Sequence, residues 1–563
     1  MRSLVFLLLA SGLALPQDLK QAPEVLKDPA AHGIGRRVDA PALRGRAGEG
    51  KVLVAAFTAA TCPLSRIYRP RIDRLAASYA SRGVAFVVVH GDAADRPSES
   101  ALHDADGRLA AALGARRTTD LFVLDAKDVL RYRGALDDQY GIGYARSEPS
   151  RNYLVDALES VLAGRPVAVP ATEAPGCLVE IAGPPRPGAE TTYHRDVAPL
   201  LLRRCVECHR AGEIGPFPLL SYADAKAKAR TIRRAVEEKR MPPWFADPAH
   251  GEWLNDRSLP DRDRGTILRW VDAGCPEGDP KDAPTLPRFR TGWAIGEPDD
   301  VWEMPVEVRV PAEGVVPYKY YTVRTRLKED RWVRAIEVRP GARAVVHHVL
   351  VFVQYPRHRQ DEAPPFGGVQ DGYFGVMVPG ERPTEFPEGT GKLIPAGAKL
   401  VFQMHYTAAG KEHWDRTAVG VKYWDKPPAR EVVTRGIANL GIRIPPGAPD
   451  HREEAQYVFP HDARIVGFMP HTHVRGKAFR YEAVHPDGRT EILLDLPRYD
   501  FNWQYFYRFR EPRKLARGTK IRVAAVYDNS AANPANPDPT KTVRFGEQTW
   551  DEMLIGYMDY VKE

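Results

Sequence analysis

Cysteine is scarce in this chain, and its scarcity excludes a small protein braced by disulfides. Five cysteines occur among 563 residues, and none lies between Met304 and Glu563. That half must therefore rely on packing or on bound metal for its stability. A basic arm is also missing, because the formal charge of +7 is spread along the chain with acidic and basic residues interleaved. This pattern gives no support to nucleic-acid binding.

Long apolar runs are missing beyond the first residues, so no transmembrane span is expected there. Residues 1–17 combine the basic Arg2, an apolar run over Leu4–Leu9, and the small residues Gly12 and Ala14. This pattern predicts a secretory signal peptide, and therefore an exported, periplasmic protein. An uncleaved segment that tethers the protein to the membrane is the alternative.

The length of the chain predicts several separate domains, and its 50 prolines and 46 glycines favour a largely β, loop-rich architecture. Hydrophobic periodicity divides the chain into an α/β domain, an all-α domain and one or two all-β sandwiches of the jelly-roll type. The predicted boundaries are 30–166 for the α/β domain, 167–190 for a linker, 191–280 for the helical domain, 281–300 for a second linker, and 301–428 and 429–563 for the sandwiches.

Individual elements follow from the same periodicity. The α/β strands are predicted at Val52–Thr58, Val84–His90, Leu121–Asp125 and Val129–Arg133, with helices at Ser65–Ser81, Ser98–Leu113 and Arg151–Leu162. The sandwich strands include Trp332–Val338, Val345–Val353, Leu400–Tyr406, Arg464–Met469 and Lys520–Tyr527. The last helix of the helical domain has clear end signals, with Pro260 at its start and Gly274 at its end.

A C-x-x-C-H motif lies in the helical domain and consists of Cys205, Cys208 and His209. Its two thiols can form thioethers to the vinyl groups of one haem, while the adjacent imidazole ligates the iron. The sequence therefore predicts one covalently bound haem c. A simple metal knuckle or a disulfide is the alternative.

Met241 is the candidate for the sixth ligand of the haem iron, because two prolines stiffen the turn on which it lies. A lone methionine is more often part of a core, and His250 is a rival ligand. The segment 193–278 resembles the small class I cytochromes c, and Met241 matches their distal methionine.

Cys62 follows a predicted strand and opens a predicted helix, whose N-terminus would lower the pKa of the thiol and make it reactive. The α/β domain resembles the thioredoxin-like (redoxin) superfamily, and Pro70 falls where its members have a proline that kinks the helix. Ser65 replaces the second redox cysteine of that family, and Thr119 replaces its cis-proline. An inert or regulatory domain and a one-cysteine redox role both stay open, with Cys177 as a candidate resolving partner.

Three histidine signals occur in the second half of the chain: His347-His348, His405, and His471-Thr472-His473. Histidines spaced by two on a strand project to the same face and can bind one metal, which suits His471 and His473. Adjacent His347 and His348 would point to opposite faces unless a bulge or a strand end intervenes. Each histidine taken alone could equally be a surface residue or a satisfied core residue.

The order of these histidines, followed by Asp551-Glu552-Met553, resembles the copper type II, ascorbate-dependent monooxygenases over about 304–557. These are the peptidylglycine-hydroxylating and dopamine β-hydroxylating enzymes. The resemblance implies two coupled sandwiches that each hold one copper. The electron-transfer copper would be bound by His347, His348 and His405, and the oxygen-activating copper by His471, His473 and Met553. Imidazole suits both copper states, and thioether sulfur favours Cu(I).

Two departures from that family concern the substrate. Its peptide-hydroxylating members hold a substrate carboxylate with an Arg and an Asn, and Met469 and Ile555 stand at those positions here. A carboxylate would lose its charged anchors, so a peptidylglycine substrate is not expected. Tyr557 matches a pocket tyrosine of the family. The candidate catalytic residues are therefore Tyr557, the ligands of the methionine site (His471, His473 and Met553) and, in the α/β domain, Cys62.

Together the resemblances imply an exported monooxygenase with one haem c and two coppers, acting with O2 on an unidentified small-molecule or peptide-like substrate. Cu(I) at the methionine site would bind oxygen, and the other copper would supply the second electron. The tethered cytochrome could replace ascorbate, fed by an external donor and placed near His347, His348 and His405. The alternatives are an electron-transfer or copper-binding protein without hydroxylase activity, and a periplasmic thiol-redox or assembly factor.

Overall fold

The computed structural model describes residues 19–91, 101–104, 106–180, 186, 188–289, 292–362 and 369–563, with the backbone alone for residues 360–362. The predicted signal peptide lies outside these residues. Within them strands dominate and helices are few, which confirms the largely β architecture. No helix in this part of the chain has both the length and the apolar character that crossing a membrane requires.

The first unit is α/β. Its elements are β1 (Glu24–Val25), α1 (Pro41–Ala47), β2 (Val52–Thr58), α2 (Pro63–Tyr79), β3 (Val84–His90), β4 (Leu102–His103), α3 (Arg108–Leu113), β5 (Leu121–Leu124), β6 (Leu130–Gly134), β7 (Tyr140–Gly141), β8 (Tyr144–Ala145), α4 (Tyr153–Leu162) and β9 (Thr172–Glu173), with short 3-10 turns at Ala30–His32 and Ala80–Arg82. The central sheet has the order β4-β3-β2-β5-β6, and β2 runs parallel to β3 and antiparallel to β5. Apolar side chains cover both faces of this sheet. Pro63 lies in the first turn of α2, where a proline costs no hydrogen bond.

The prediction of a helix over Ser98–Leu113 is wrong for residues 101–104, the first part of this range that the structure describes. Leu102–His103 is a strand that pairs in parallel with β3, and the helix begins only at Arg108. The carboxylate of Asp104 accepts hydrogen bonds from the amides of Leu109 and Ala110 at 2.9 and 2.7 Å. These bonds satisfy the free N–H groups of the first helical turn, so the helix starts after this aspartate.

The tract predicted as the first linker continues the α/β unit through residue 180. Its strand β9 pairs antiparallel with β1. Ala171 and Thr172 are buried, and Gly134 lets the end of β6 approach them closely. Gly134 has φ +138, and a Cβ there would lie 2.0 Å from the Thr172 hydroxyl oxygen. Packing rather than composition therefore decides the role of this proline- and alanine-rich tract.

The second unit is helical and contains no strand among the described residues 188–289. Its elements are a π-helical turn (Tyr193–Val197), α5 (Ala198–Arg204), α6 (Tyr222–Lys226), α7 (Ala229–Glu237), α8 (Asp261–Asp272) and a 3-10 turn (Pro280–Asp282). The α8 helix follows Pro260, and Gly274 with φ +79 comes just after its end, in agreement with the sequence signals. The fully buried Trp270 anchors the core and donates its indole N–H to the Pro276 carbonyl at 3.0 Å.

The rest of the chain forms two β-sandwiches. The first contains β10 (Asp300–Glu303), β11 (Val308–Val310), β12 (Lys319–Arg324), β13 (Arg331–Arg339), β14 (Val346–Gln354), β15 (Gly375–Met377), β16 (Thr384–Glu385), β17 (Thr390–Ile394), β18 (Lys399–Tyr406), β19 (His413–Asp415) and β20 (Ala418–Tyr423), with a 3-10 segment at Arg357–Glu362. The second contains β21 (Arg430–Ala438), β22 (Arg443–Ile444), β23 (His451–Val458), β24 (Ala463–His471), β25 (Gly476–Val484), β26 (Thr490–Leu496), β27 (Tyr507–Leu515), β28 (Lys520–Tyr527), β29 (Val543–Arg544) and β30 (Ile555–Lys562).

One sheet runs through both sandwiches. Its strand order is β10-β20-β13-β17-β21-β30-β24-β27, and the parallel pair β17 and β21 joins the two halves. The first sandwich is closed by the sheet β12-β18-β14-β15, and the second by the sheet β23-β28-β25-β26. Each sandwich has its own apolar core. The shared sheet therefore fixes the two sandwiches side by side.

The two N-terminal units pack against the sandwiches. Trp253 of the helical unit stacks on Phe509 of β27 with ring centroids 4.7 Å apart. An ion pair joins Arg74 of α2 to Glu313 of the first sandwich at 2.7 Å. The four units therefore contact one another through specific side chains.

Candidate metal centre

A β-bulge brings the first three histidines together. β14 pairs antiparallel with β18, and His348 lies opposite His405, but the register shifts between Val346 and His348. His347 is thus the bulged residue, and both histidines of the pair approach His405. The ring centroids of His347 and His348 lie 4.7 and 4.8 Å from that of His405. Ligand nitrogens of the three residues lie within 4.8 Å of one another.

The second histidine pair lies where β24 ends. His471 is the last residue of this strand and is the register partner of Ile555 on β30, and its ring centroid is 5.3 Å from that of His473. The Nδ1 of His471 lies 2.5 Å from Gln504 Oε1, and the Nδ1 of His473 lies 3.2 Å from the Asp551 carbonyl oxygen. Because both acceptors are oxygens, each Nδ1 carries the proton and donates it. Each Nε2 therefore keeps its lone pair for a metal.

The buried carboxylate of Glu552 ties Met553 to this pair. Its Oε2 accepts hydrogen bonds from the amides of His473 and Met553 at 2.8 and 3.1 Å, and its Oε1 accepts one from the Arg475 amide at 2.7 Å. One carboxylate therefore holds the backbones of two proposed ligands that are distant in sequence. Met553 is 2% exposed.

The two sets of histidines adjoin at the boundary between the sandwiches. The ring centroids of His348 and His471 lie 6.3 Å apart. Phe501 lies against both sets, since its ring stacks on His347 at 5.1 Å and meets His473 edge-on at 6.1 Å. The five histidines therefore form one cluster, with three from the first sandwich and two from the second.

The chemistry of this cluster fits a metal. In this cluster, three buried ring nitrogens have no hydrogen-bond partner among the described residues: His347 Nε2, His405 Nδ1 and His473 Nε2. Unpaired buried polar atoms are costly, and a metal ion would satisfy them. Burial lowers the pKa of His347 and His471 to about 4, and it lowers the pKa of the other three histidines well below its usual range. All five are therefore neutral at pH 7, the form that binds metal.

Apolar residues occupy the two positions where a carboxylate anchor would stand. Met469 and Ile555 are 2% and 0% exposed and belong to one apolar cluster with Met553 and Tyr557. Met469 lies opposite Tyr557 in the β24–β30 register, and the Tyr557 hydroxyl donates to the Val369 carbonyl at 2.5 Å. The surroundings of Met553 therefore suit apolar groups better than charged ones.

The C-x-x-C-H motif follows α5 in the helical unit. The Nδ1 of His209 lies 3.1 Å from the Phe217 carbonyl oxygen, so its Nε2 keeps the lone pair for a metal. Cys205 and Cys208 are free thiols, and burial raises the pKa of Cys205 to about 12. Met241 is partly buried in the turn after α7. The thiols and the ring orientation fit covalent attachment of a haem.

His250, the rival ligand, lies away from this motif. It approaches Asp247 and Asp495, with ligand atoms of the three within 4.8 Å of one another, where the helical unit meets β26. Asp495 also forms an ion pair with Arg480 at 2.7 Å.

The C-x-x-C-H motif lies near the segment that orients His471. Gly380, with φ +78, fills the space between Cys208 and Tyr505, because a Cβ there would lie 3.4 Å from the Cys208 Sγ and 2.9 Å from the Tyr505 hydroxyl. Tyr505 directly follows Gln504, the partner of His471. The approach of a haem to the three-histidine set stays a prediction.

A second contact leads from the same motif to the first sandwich. Glu213 of the helical unit pairs with Arg343 at 2.8 Å, four residues before His347. Glu207, inside the motif, pairs with Arg382 at 2.7 Å. The helical unit therefore contacts the first sandwich close in sequence to His347.

Cys62 lies apart from the metal centre, immediately before α2, and is 1% exposed. Its thiol interacts with that of Cys177 through a hydrogen bond. Ser65, at the position of the missing redox cysteine, donates its hydroxyl to the Thr118 carbonyl at 2.5 Å.

Sequence reasoning missed the residues that orient the histidines. Gln504 and Phe501 lie in the loop between β26 and β27, some thirty residues after His473, and no periodic pattern marks them. Glu552 stands next to Met553, but its role follows from the β24–β30 register and not from its spacing.

The fold and the cluster define a β-rich protein with a buried histidine centre between two sandwiches. Residues 451–563 match the family model described as copper type II ascorbate-dependent monooxygenase, C-terminal domain. The match covers about a fifth of the chain and includes His471, His473 and Met553. It therefore concerns the second sandwich.

Three solved structures resemble parts of the chain. A hypothetical protein of Sinorhizobium meliloti 1021 has 27% identity and a TM-score of 0.22, covering 24% of this chain and 82% of its own. An uncharacterized conserved protein of Geobacillus kaustophilus has 24% identity and a TM-score of 0.21, covering 29% and 90%. A putative thiol:disulfide interchange protein of Chlorobium tepidum has 23% identity and a TM-score of 0.15, covering 16% and 72%. No protein of curated function matches the chain.

Proposed function

We propose that this chain is a copper-dependent monooxygenase, which uses O2 to hydroxylate a C–H bond of an organic substrate. The observation that carries the proposal is the cluster of five neutral histidines, four buried and one partly buried, three of which have a ring nitrogen without a partner among the described residues. The family match of residues 451–563 supports the same metal and the same class of chemistry.

Two ligand sets would hold copper: His347, His348 and His405, and His471, His473 and Met553. Copper bound there would supply the one-electron redox chemistry by which O2 oxidises a C–H bond. The protein itself orients the ligands. Gln504 and the Asp551 carbonyl fix the rings of the second set, and Glu552 fixes its backbone. Such outer contacts commonly change metal affinity 10- to 100-fold.

The proposed substrate presents an apolar group to Met553 rather than a carboxylate. Met469 and Ile555 offer no charge to pair with an anion, and a buried unpaired carboxylate would be costly. Tyr557 lies in the same cluster, but its hydroxyl already donates to a backbone carbonyl. A small apolar compound or an apolar peptide side chain fits this environment.

Cys205, Cys208, His209 and Met241 would hold a haem c, which would supply one-electron transfer. The support is the lone pair that remains on the Nε2 of His209, and the position of Gly380 between Cys208 and Tyr505, the residue after Gln504. An external donor would reduce the haem. The predicted signal peptide over 1–17 supports a periplasmic location, where such donors and haem attachment are available.

The test is a metal count followed by an oxygen assay on the full-length protein, expressed with haem-attachment machinery. We expect two copper and one iron per chain, and reductant-driven O2 consumption that requires copper. Met553→Leu changes volume little but removes the sulfur, so O2 consumption should fall at least tenfold. Met404→Leu is the matched control, because Met404 is equally buried but belongs to the core of the first sandwich.

Three outcomes would contradict the proposal. Copper binding below one per chain would exclude a dicopper centre, and O2 consumption unchanged in copper-free protein would exclude copper chemistry. Full copper and haem loading with no O2 consumption would instead favour an electron-transfer protein without hydroxylase activity.

A further inference from the structure

Two cysteines outside the metal centre lie side by side, although 114 residues separate them in sequence. Cys62 is buried before α2, whereas Cys177 is partly exposed in the tract after β9. The backbone holds this tract in place, because the Cys177 carbonyl accepts a hydrogen bond from the Thr118 amide at 3.0 Å. Gly176, with φ +150, allows the close approach, since a Cβ there would lie 2.7 Å from the Thr119 hydroxyl oxygen.

The surroundings favour a thiolate on Cys62. Burial raises the pKa of this thiol, but hydrogen bonds from Cys177 and Thr118 outweigh burial and bring the pKa well below its ordinary value. The same contact with Cys62 raises the pKa of Cys177. One thiol of the pair is therefore ionised while its neighbour keeps its proton.

Lys228 brings a positive charge to the pair from the helical unit. It is 5% exposed, and its ammonium group donates to the Thr61 hydroxyl at 2.6 Å, next to Cys62. Burial lowers the pKa of Lys228 to about 8, and the charge of Cys62 opposes that shift. A buried cation beside a thiolate stabilises the reduced form of a cysteine pair.

We propose that Cys62 and Cys177 are a redox-active pair that closes to an internal disulfide and exchanges with a dithiol partner. Ser65 stands where a second redox cysteine would be, and Cys177 in the tract after β9 takes the place of that cysteine. Lys228 is a positioning residue that stabilises the open form. This activity needs neither copper nor haem, so it is separate from the proposed monooxygenase chemistry.

The exchange balances in atoms and electrons. A partner thiolate attacks the sulfur of the partly exposed Cys177 in the disulfide, the S–S bond breaks, and Cys62 leaves as a thiolate, which is the better leaving group. The partner's second thiol then passes its proton to Cys177 and attacks the partner sulfur of the mixed disulfide, so Cys177 leaves as a thiol. Two electrons pass from the partner's two thiols, which become a disulfide. A protein disulfide or a low-molecular-weight disulfide re-oxidises the pair by the reverse steps.

The test equilibrates the full-length, metal-loaded protein with mixtures of reduced and oxidised glutathione, followed by an acid quench, alkylation and mass mapping. We expect a linked Cys62–Cys177 peptide that increases with oxidised glutathione and disappears with dithiothreitol. In Cys62→Ser, glutathione should remain on Cys177 at least about tenfold more than in wild type, because no second thiol displaces it. Cys275→Ser is the matched control and should leave the linked peptide unchanged.

Lys228→Met tests the charge. Without the ammonium group the thiolate is less stable. Half-oxidation of Lys228→Met should therefore need at most about one third of the oxidised glutathione that the wild type needs, whereas Lys228→Arg should behave as wild type. Equal half-oxidation in wild type and Lys228→Met would overturn the role of Lys228. The cysteine pair itself would be overturned if the wild-type protein stays unlinked and carries as much glutathione on Cys177 as the Cys62→Ser variant. The missing link is measured on the wild-type protein, so this outcome does not depend on the folding of a variant.

Discussion

Glu552→Gln should weaken the second ligand set while leaving the first intact. The carboxylate accepts three backbone hydrogen bonds, from His473, Arg475 and Met553. An amide of the same shape keeps one acceptor oxygen and turns an NH2 group towards at least one backbone N–H. Burial raises the pKa of the Glu552 carboxyl to about 7, so the comparison is made at about pH 8.5, where the wild-type group is ionised. Because a hydrogen bond to a charged group contributes about 1.5–3 kcal/mol, loss of one bond and weakening of the others should then lower the free energy of unfolding by about 2–4 kcal/mol.

The effect on copper should be larger at one site than at the other. Loosening the backbone of His473 and Met553 should weaken copper binding there by about 10- to 100-fold, a range typical for residues that support metal ligands. Titration with Cu(I) against a competing chelator should show one tight site instead of two. X-ray absorption should show loss of the copper–sulfur contribution of Met553.

Asp415→Asn is the matched control for this experiment. Asp415 is a fully buried carboxylate in the first sandwich, and it also accepts three hydrogen bonds, from the Ala342 amide at 2.8 Å, the Tyr406 hydroxyl at 2.9 Å and the Thr417 hydroxyl at 2.8 Å. Its replacement should cost similar stability but keep the sulfur-containing copper site. Unchanged copper affinity in Glu552→Gln, or an equal loss in both variants, would refute the role assigned to Glu552.

Three further predictions concern the haem, the unit contact and acid stability. Replacing Cys205 and Cys208 with Ala should abolish acid-stable haem attachment, and haem that extracts freely from the unmodified protein would contradict the assignment. Trp253→Ala should cost about 3–5 kcal/mol and expose the contact with β27 to limited proteolysis, because the indole stacks on Phe509. Burial lowers the pKa of His471 from 6.5 to about 4, so the unfolded chain binds more protons in this window. The metal-free protein should then lose about 1.4 kcal/mol per pH unit from this histidine as the pH falls from 6.5 to 4, as followed by urea unfolding.

The strands and the motifs could be predicted from the sequence because their patterns span only a few residues. The alternation that predicts β14 and β18 and the C-x-x-C-H spacing of Cys205 to His209 depend on residues a few positions apart. The sequence also indicated that His347 and His348 can bind one metal together only if a bulge or a strand end interrupts the strand. It did not show that the bulge exists.

Only the tertiary structure decided which distant residues meet. The shift between β14 and β18 places His347, the β24–β30 pairing brings Glu552 to His473, and the shared sheet sets the two histidine sets 6.3 Å apart at His348 and His471. The sequence by itself determined most of the elements and the candidate histidines, because helix and strand periods are local properties. Register and the packing of one sandwich on the other depend on strands far apart in the chain, and no local pattern encodes that choice.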